Sequence, residues 1–219
     1  MNQHLFAQLI ATITGVLLLT AILQIWGRSL VRSIGLLSVQ GAALAALVLT
    51  VGLNAGEPQV WLVTGIVLLM KSVVLPAAML RSAKLIGETR ERPTTINPAV
   101  ELIGAAGLTL IAYIVGVPLA GPDPDPARQA LPVGFSLVLL GFWLLMIRRS
   151  AITQLVGFLV LDNGIATVSF LASGGLPLTV ELGSSLDVLL VVLILGVLVV
   201  RMQRQQGHTD ITELKELHD

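Results

Sequence analysis

Seven apolar stretches follow one another along a chain of 219 residues and leave little room for anything else. A hydrocarbon core about 30 Å thick is crossed by about 20 helical residues rising 1.5 Å each. Stretches of that order occupy residues 5–26, 33–53, 60–80, 99–120, 131–147, 151–173 and 177–200. Charged residues make up 12% of the chain and the mean hydropathy is +0.90, whereas a soluble domain carries about 25% charged residues. The expected fold class is therefore all-α integral membrane, with seven transmembrane helices. The first stretch is expected to be retained as a span: residues 1–5 hold no Lys or Arg, and the apolar run is longer than the core of a cleaved signal.

The few basic residues then decide orientation. With seven spans, Arg28, Arg32, Arg81, Lys84, Arg90, Arg92, Arg148, Arg149, Arg201, Arg204 and Lys215 share one face. The other face holds only Arg128, and Lys71 lies within a span. The positive-inside rule puts the N-terminus outside and the C-terminus in the cytoplasm, as expected for a multi-pass protein of a bacterial cytoplasmic (inner) membrane. Residues 121–126, with alternating Pro and Asp, are expected to be an extended outer connection, and 81–98 a charged inner link.

An internal repeat is expected. Arg28-Ser29, then Ile34-Gly35, then Gln40-Gly41, then mid-span Lys71 with Arg81 at its end are matched in order by the second half. There the counterparts are Arg149-Ser150 with Arg148 before it, Val156-Gly157, Asp162-Asn163, and mid-span Asp187 with Arg201 at its end. Two parallel three-helix units need one further span to reset direction, which gives a 3+1+3 plan. Its parts are a first unit at 1–95, a linking helix and outer loop at 96–130, a second unit at 131–204, and a cytoplasmic tail at 205–219. In the tail, Asp210 and Glu213 have capping-box spacing ahead of Leu214 and Leu217. That pattern fits a short docking helix or a solvated end.

Lys71, Asp162 and Asp187 stand near the middle of their spans. Each costs roughly 2.5–3.5 kcal/mol on insertion scales, so they must face the bundle interior, water or one another. Two readings follow: a proton or ion relay, since buried carboxylates and amines exchange protons, or ion pairing that fixes helix packing. Pro76 cannot donate to the carbonyl of Ser72, which frees an acceptor beside Lys71. Thr64 precedes Lys71 by two turns and Ser184 precedes Asp187 by one, and Asn163 and Gln40 add amides at similar depth. Such groups also bond between membrane helices without any transport. Glu101 and Glu181 fall in the first turns of their spans, where a carboxylate complements the helix N-terminus; Glu101 could also serve as a cytoplasmic entry point.

Independent catalysis is not supported. There are no cysteines, and His4, His208 and His218 lie outside the spans, which leaves no haem or thiolate ligands within the bilayer. Zinc-helix, phosphate-loop and nucleophile-elbow motifs are missing from the sequence. A formal net charge of zero gives no reason to expect nucleic acid as a partner.

The residues 131–219, with Arg148-Arg149, Gly157 followed by Asn163, mid-helix Asp187 and Arg201, resemble the three-helix K subunit of respiratory complex I. They also resemble the related C subunit of multisubunit sodium/proton antiporters. The whole chain, with two such units, resembles the hydrogenase-4 component E family, membrane subunits of group 4 [NiFe]-hydrogenase and formate hydrogenlyase assemblies. The resemblance implies a non-catalytic subunit of an oxidoreductase complex, without a cofactor of its own; a nickel–iron centre and iron–sulfur clusters would belong to partner subunits. Implied partners are antiporter-like and other hydrogenase membrane subunits, besides membrane lipid. It also implies a proton route through two membrane glutamates. The later one corresponds to Asp187 and to Lys71, and the earlier one falls at Leu159 and Leu37, which cannot titrate. Asp162, one turn from Leu159, stands in a position to substitute; its counterpart Gln40 cannot. Rival expectations are a purely structural subunit, a subunit of a cation/proton antiporter, and a self-sufficient transporter.

Overall fold

A computed structural model describes residues 2–56, 58–86, 97–122 and 125–173, and within these every regular element is helical. Helix α1 spans Gln3–Trp26 and α2 spans Leu30–Ala55. The third span is built of α3 (Val60–Val67), a π-helical segment (Leu68–Val74) and α4 (Leu75–Ile86). Then come α5 (Pro98–Ala120), a single turn α6 (Pro126–Gln129), α7 (Leu131–Ile147) and α8 (Ala151–Ser173). Six of these paths are long and apolar enough to cross a bilayer. The expected seventh span at 177–200, with Glu181, Ser184 and Asp187, and the tail at 205–219 lie outside the described residues, as do Arg90 and Arg92.

Local chemistry sets the ends. Asn97 Oδ1 accepts the Ala99 N–H at 3.0 Å, and Pro98 follows it at the first helical position, where a missing N–H costs nothing. Asp125 and Pro126 repeat the device, with Oδ1 accepting from Ala127 N–H at 3.1 Å. The outer connection therefore turns helical at Pro126, where an extended run was expected. Gly56 closes α2 in the left-handed region at φ 73°, its N–H donating to the Gly52 carbonyl. Helix α2 begins before the expected 33 and α4 runs past the expected 80, because Arg and Lys propagate helix well and carry their charge out of the apolar zone.

The bundle is organised around α8. Of its span, 72% is buried, against 17% for α5, which lies at the edge of the described bundle. Helix α8 packs chiefly on α7 and then on α2, α5 leans on α7, and α1 touches α2, α7 and α5. Exposed Ile103, Leu110, Ile114 and Leu119 on α5 suit acyl chains as neighbours. Trp26 and Trp61, 64% and 67% exposed, stand near opposite ends of the bundle, at the levels where amphipathic rings settle.

Glycine permits the closest approach. Between α7 and α8, Gly134 and Gly141 face Val168 and Leu161, while Gly157 and Gly164 face Leu145 and Val138. In a lipid environment no hydrophobic gain drives helices together, so small residues that let backbones touch carry the association. Most hydroxyls stay within their own helix: Thr14, Thr50, Ser136 and Thr167 donate to carbonyls four residues back at 2.7–2.8 Å. A Cβ added at Gly141 would lie 2.5 Å from the Leu161 nitrogen, whereas one at Gly15 meets nothing within 4 Å. Gly141→Ala should lower stability by about 1–3 kcal/mol. Gly15→Ala should be neutral or stabilising, and thermal unfolding of the two variants in detergent checks the contrast.

Candidate functional site

A lysine at the middle of one membrane helix must find an anion or reach water. Lys71 finds Asp162: its Nζ donates to Oδ2 at 2.7 Å, across 91 residues of sequence, and the two side chains are 2% and 11% exposed. The contact joins the third span to α8 about half-way along both. Asp162 adds a further interaction.

Three local features aim Lys71. The π-helical segment surrounds it, and the Leu75 N–H donates to Met70, five residues back. Pro76 follows one residue later and has no N–H for either register. A wide turn relieves the clash that its ring would make in an α-helix. On the α2 side, Gly41 lies so close that a Cβ there would be 2.5 Å from the Lys71 carbonyl carbon and 2.6 Å from its oxygen. Ser72 Oγ completes the junction by donating to the Ser38 carbonyl at 2.9 Å. Sequence reasoning placed the freed acceptor beside Lys71 but did not foresee the π-helical register.

A second polar chain runs beside the pair. Asn163 Nδ2 donates to Gln40 Oε1 at 3.0 Å, and Gln40 Nε2 donates to the Leu17 carbonyl at 3.3 Å. Asn163 and Gln40 are 4% and 0% exposed, and Thr167 Oγ1 donates to the Asn163 carbonyl. The four residues Lys71, Asp162, Asn163 and Gln40 thus link α1, α2, the third span and α8 through one buried polar layer. Thr64 does not join it. Its Oγ1 is buried without a hydrogen-bond partner among the described residues.

Glu101, expected in the first turn of its span, is found there and is 2% exposed. It sits in the first turn of α5, where Trp143 Nε1 donates to its carbonyl at 3.1 Å and the Trp143 ring fills the space over Gly104. Glu101 carries a further interaction. Arg148, counted from sequence among the face charges, is 3% exposed. Its Nη2 donates to the carbonyls of Gln24 and Ile25 at 2.8 Å and of Gly27 at 3.2 Å. One guanidinium thereby closes the C-terminal end of α1, whose last carbonyls have no helical partner and carry partial negative charge. The paired arginines at the end of α7 were the available signal, and only tertiary packing distinguishes the one turned inward. Beside this tie both amide atoms of Gln24 are buried without a partner among the described residues.

Among the described residues no three His, Asp or Glu side chains converge on a metal position. An ammonium and a carboxylate in low dielectric attract strongly, and protonating the carboxylate or deprotonating the ammonium cancels that attraction. Removing one partner leaves a buried unpaired charge, at a cost of about 3–5 kcal/mol, while replacing both by apolar groups is near neutral. Lys71→Met and Asp162→Leu should each destabilise strongly, and the double variant should recover most of the loss. A double-mutant cycle of unfolding in detergent checks this.

Comparison with known proteins follows the same line. The chain is 38% identical over its full length to the uncharacterized protein Rv0085 of Mycobacterium tuberculosis, covering all of that protein. It is 23% identical to hydrogenase-4 component E of Escherichia coli K12 and of Shigella flexneri, over 96% of the chain and 98% of each relative. No protein-family profile and no solved structure matches the chain.

Proposed function

Because the chain belongs to the family of the mycobacterial protein Rv0085 and is a distant homologue of hydrogenase-4 component E, we propose that it is a membrane-arm subunit of a complex I-like hydrogenase assembly. In this reading it has seven spans in a 3+1+3 plan with the N-terminus outside, lies in the bacterial inner membrane beside antiporter-like subunits, and holds no redox centre. Its part in the work is to carry a proton, or a sodium ion, across the low-dielectric middle of the bundle.

The observation that supports this is the buried contact of Lys71 with Asp162 at 2.7 Å. A proton reaching Asp162 neutralises the carboxylate and releases the ammonium; Lys71 then gives a proton to the other side, and the neutral amine takes the proton held by Asp162, which restores the ammonium and a carboxylate that draws the next. The Asn163–Gln40 amides do not titrate and keep the two groups in register. Asp187 continues the path in the second unit, and Glu101 and Glu181 are its ends. Thr64 and Ser184 line it.

A second reading is favoured by how well enclosed the same pair is: a latch that holds the third span to α8, in a subunit that only joins neighbouring modules. The two readings separate in the whole complex. Lys71→Met with Asp162→Leu keeps the bundle together, so proton uptake by inverted membrane vesicles can be normalised to assembled complex and to its redox turnover. The ion-path reading expects coupled uptake to fall to background while redox turnover persists, with the same result for Asp187→Asn. Uptake equal to wild type in the double variant would leave the latch.

A further inference from the structure

Where α1 ends and α2 begins, the chain folds around a groove of about 500 Å³ lined by Leu23, Trp26, Gly27, Arg28, Arg32 and Leu36. Its chemistry is divided. Leu23 and Trp26 are 37% and 64% exposed and belong to the apolar, lipid-facing flank. Arg28 and Arg32 are exposed above them, four residues apart. Neither guanidinium makes a hydrogen bond or ion pair with another described residue, unlike Arg148 and Arg149 near the same end of the bundle. Gly27, buried at the turn between the two helices, forms the floor.

Two cations without a partner among the described residues, set over an apolar trough beside a tryptophan at the level of the headgroups, match one kind of molecule: an amphiphile with an anionic head and hydrocarbon tails. We infer that this groove binds an anionic phospholipid, its phosphate held between Arg28 and Arg32 and its acyl chains lying along Leu23 and Leu36. Charge complementarity selects the headgroup. The exposed indole and the leucines select a lipid over a soluble phosphate, because a free anion gains nothing from the apolar flank. The inference is independent of the ion path, since neither arginine touches the Lys71 layer.

The test uses the full chain in nanodiscs of phosphatidylcholine doped with brominated phosphatidylglycerol or, separately, with brominated phosphatidylcholine. Bromine on the acyl chain quenches nearby tryptophan, and the difference between wild type and Trp26→Phe isolates the Trp26 signal. Quenching of Trp26 should be stronger with the anionic lipid at equal bromine content. Each arginine near an anionic headgroup is worth a factor of about five in affinity. The variant Arg28→Gln with Arg32→Gln should therefore raise the half-quenching content of the anionic lipid roughly tenfold or more, and Arg28→Lys with Arg32→Lys should keep most of the preference. Arg81→Gln, with an exposed arginine on another helix, controls for general surface charge. Equal quenching by the two lipids in wild type, or a preference that survives loss of both arginines, would overturn the assignment and leave the groove to a protein neighbour.

Discussion

A single ammonium at half-depth in a membrane bundle constrains everything around it. Lys71 must be paired, the pair must be enclosed, and the helices that enclose it must approach closely at that level. Gly41, Ser72 and the π-helical segment serve the first span-to-span contact, and the glycine-stepped α7–α8 interface holds the helix that supplies Asp162. Burial of the charge thus selects which residues may be small, which helix may be irregular and which helix must be central.

The buried polar groups divide into two layers with different chemistry. At mid-depth lies the ion pair of Lys71 with Asp162, flanked by the amides of Asn163 and Gln40. At the basic end, Arg148 donates to the backbone carbonyls of Gln24, Ile25 and Gly27. The first layer joins opposite charges on the third span and α8, whereas the second is a strap between α1 and α7. Loss of Arg148, or of one member of the mid-depth pair alone, would weaken the bundle.

Much of the framework could be read from composition alone. The limits of α5, α7 and α8 agree with expectation to within a residue, because their ends are marked by Asn97-Pro98, by Leu131 after a loop and by the Arg148–Ser150 break. Lys71 and Asp162 were recognisable one by one, since intramembrane charge is expensive whatever its partner. That they meet each other was not legible. A contact across 91 residues depends on which faces of two helices are turned together, and the π-helical segment rotates the third span in a way that no α-helical period describes. Glu101 in the first turn of α5 and Arg148 at the end of α7 lie at the expected ends of their helices, but their burial was not legible, because a count of charges per face cannot see which side chain turns inward at the end of a helix.

The long sequence separation of the central pair also has a consequence in time. Membrane helices enter the bilayer roughly in order of synthesis, and chains grow at about 5–20 residues per second. Asp162 emerges 91 residues after Lys71, so the third span waits roughly five to twenty seconds for its counter-charge at that pace. During that interval the ammonium must shelter near a wet lateral gate or reach toward the headgroups. The central ion pair is therefore among the later contacts of the described bundle to form, since it waits for α8.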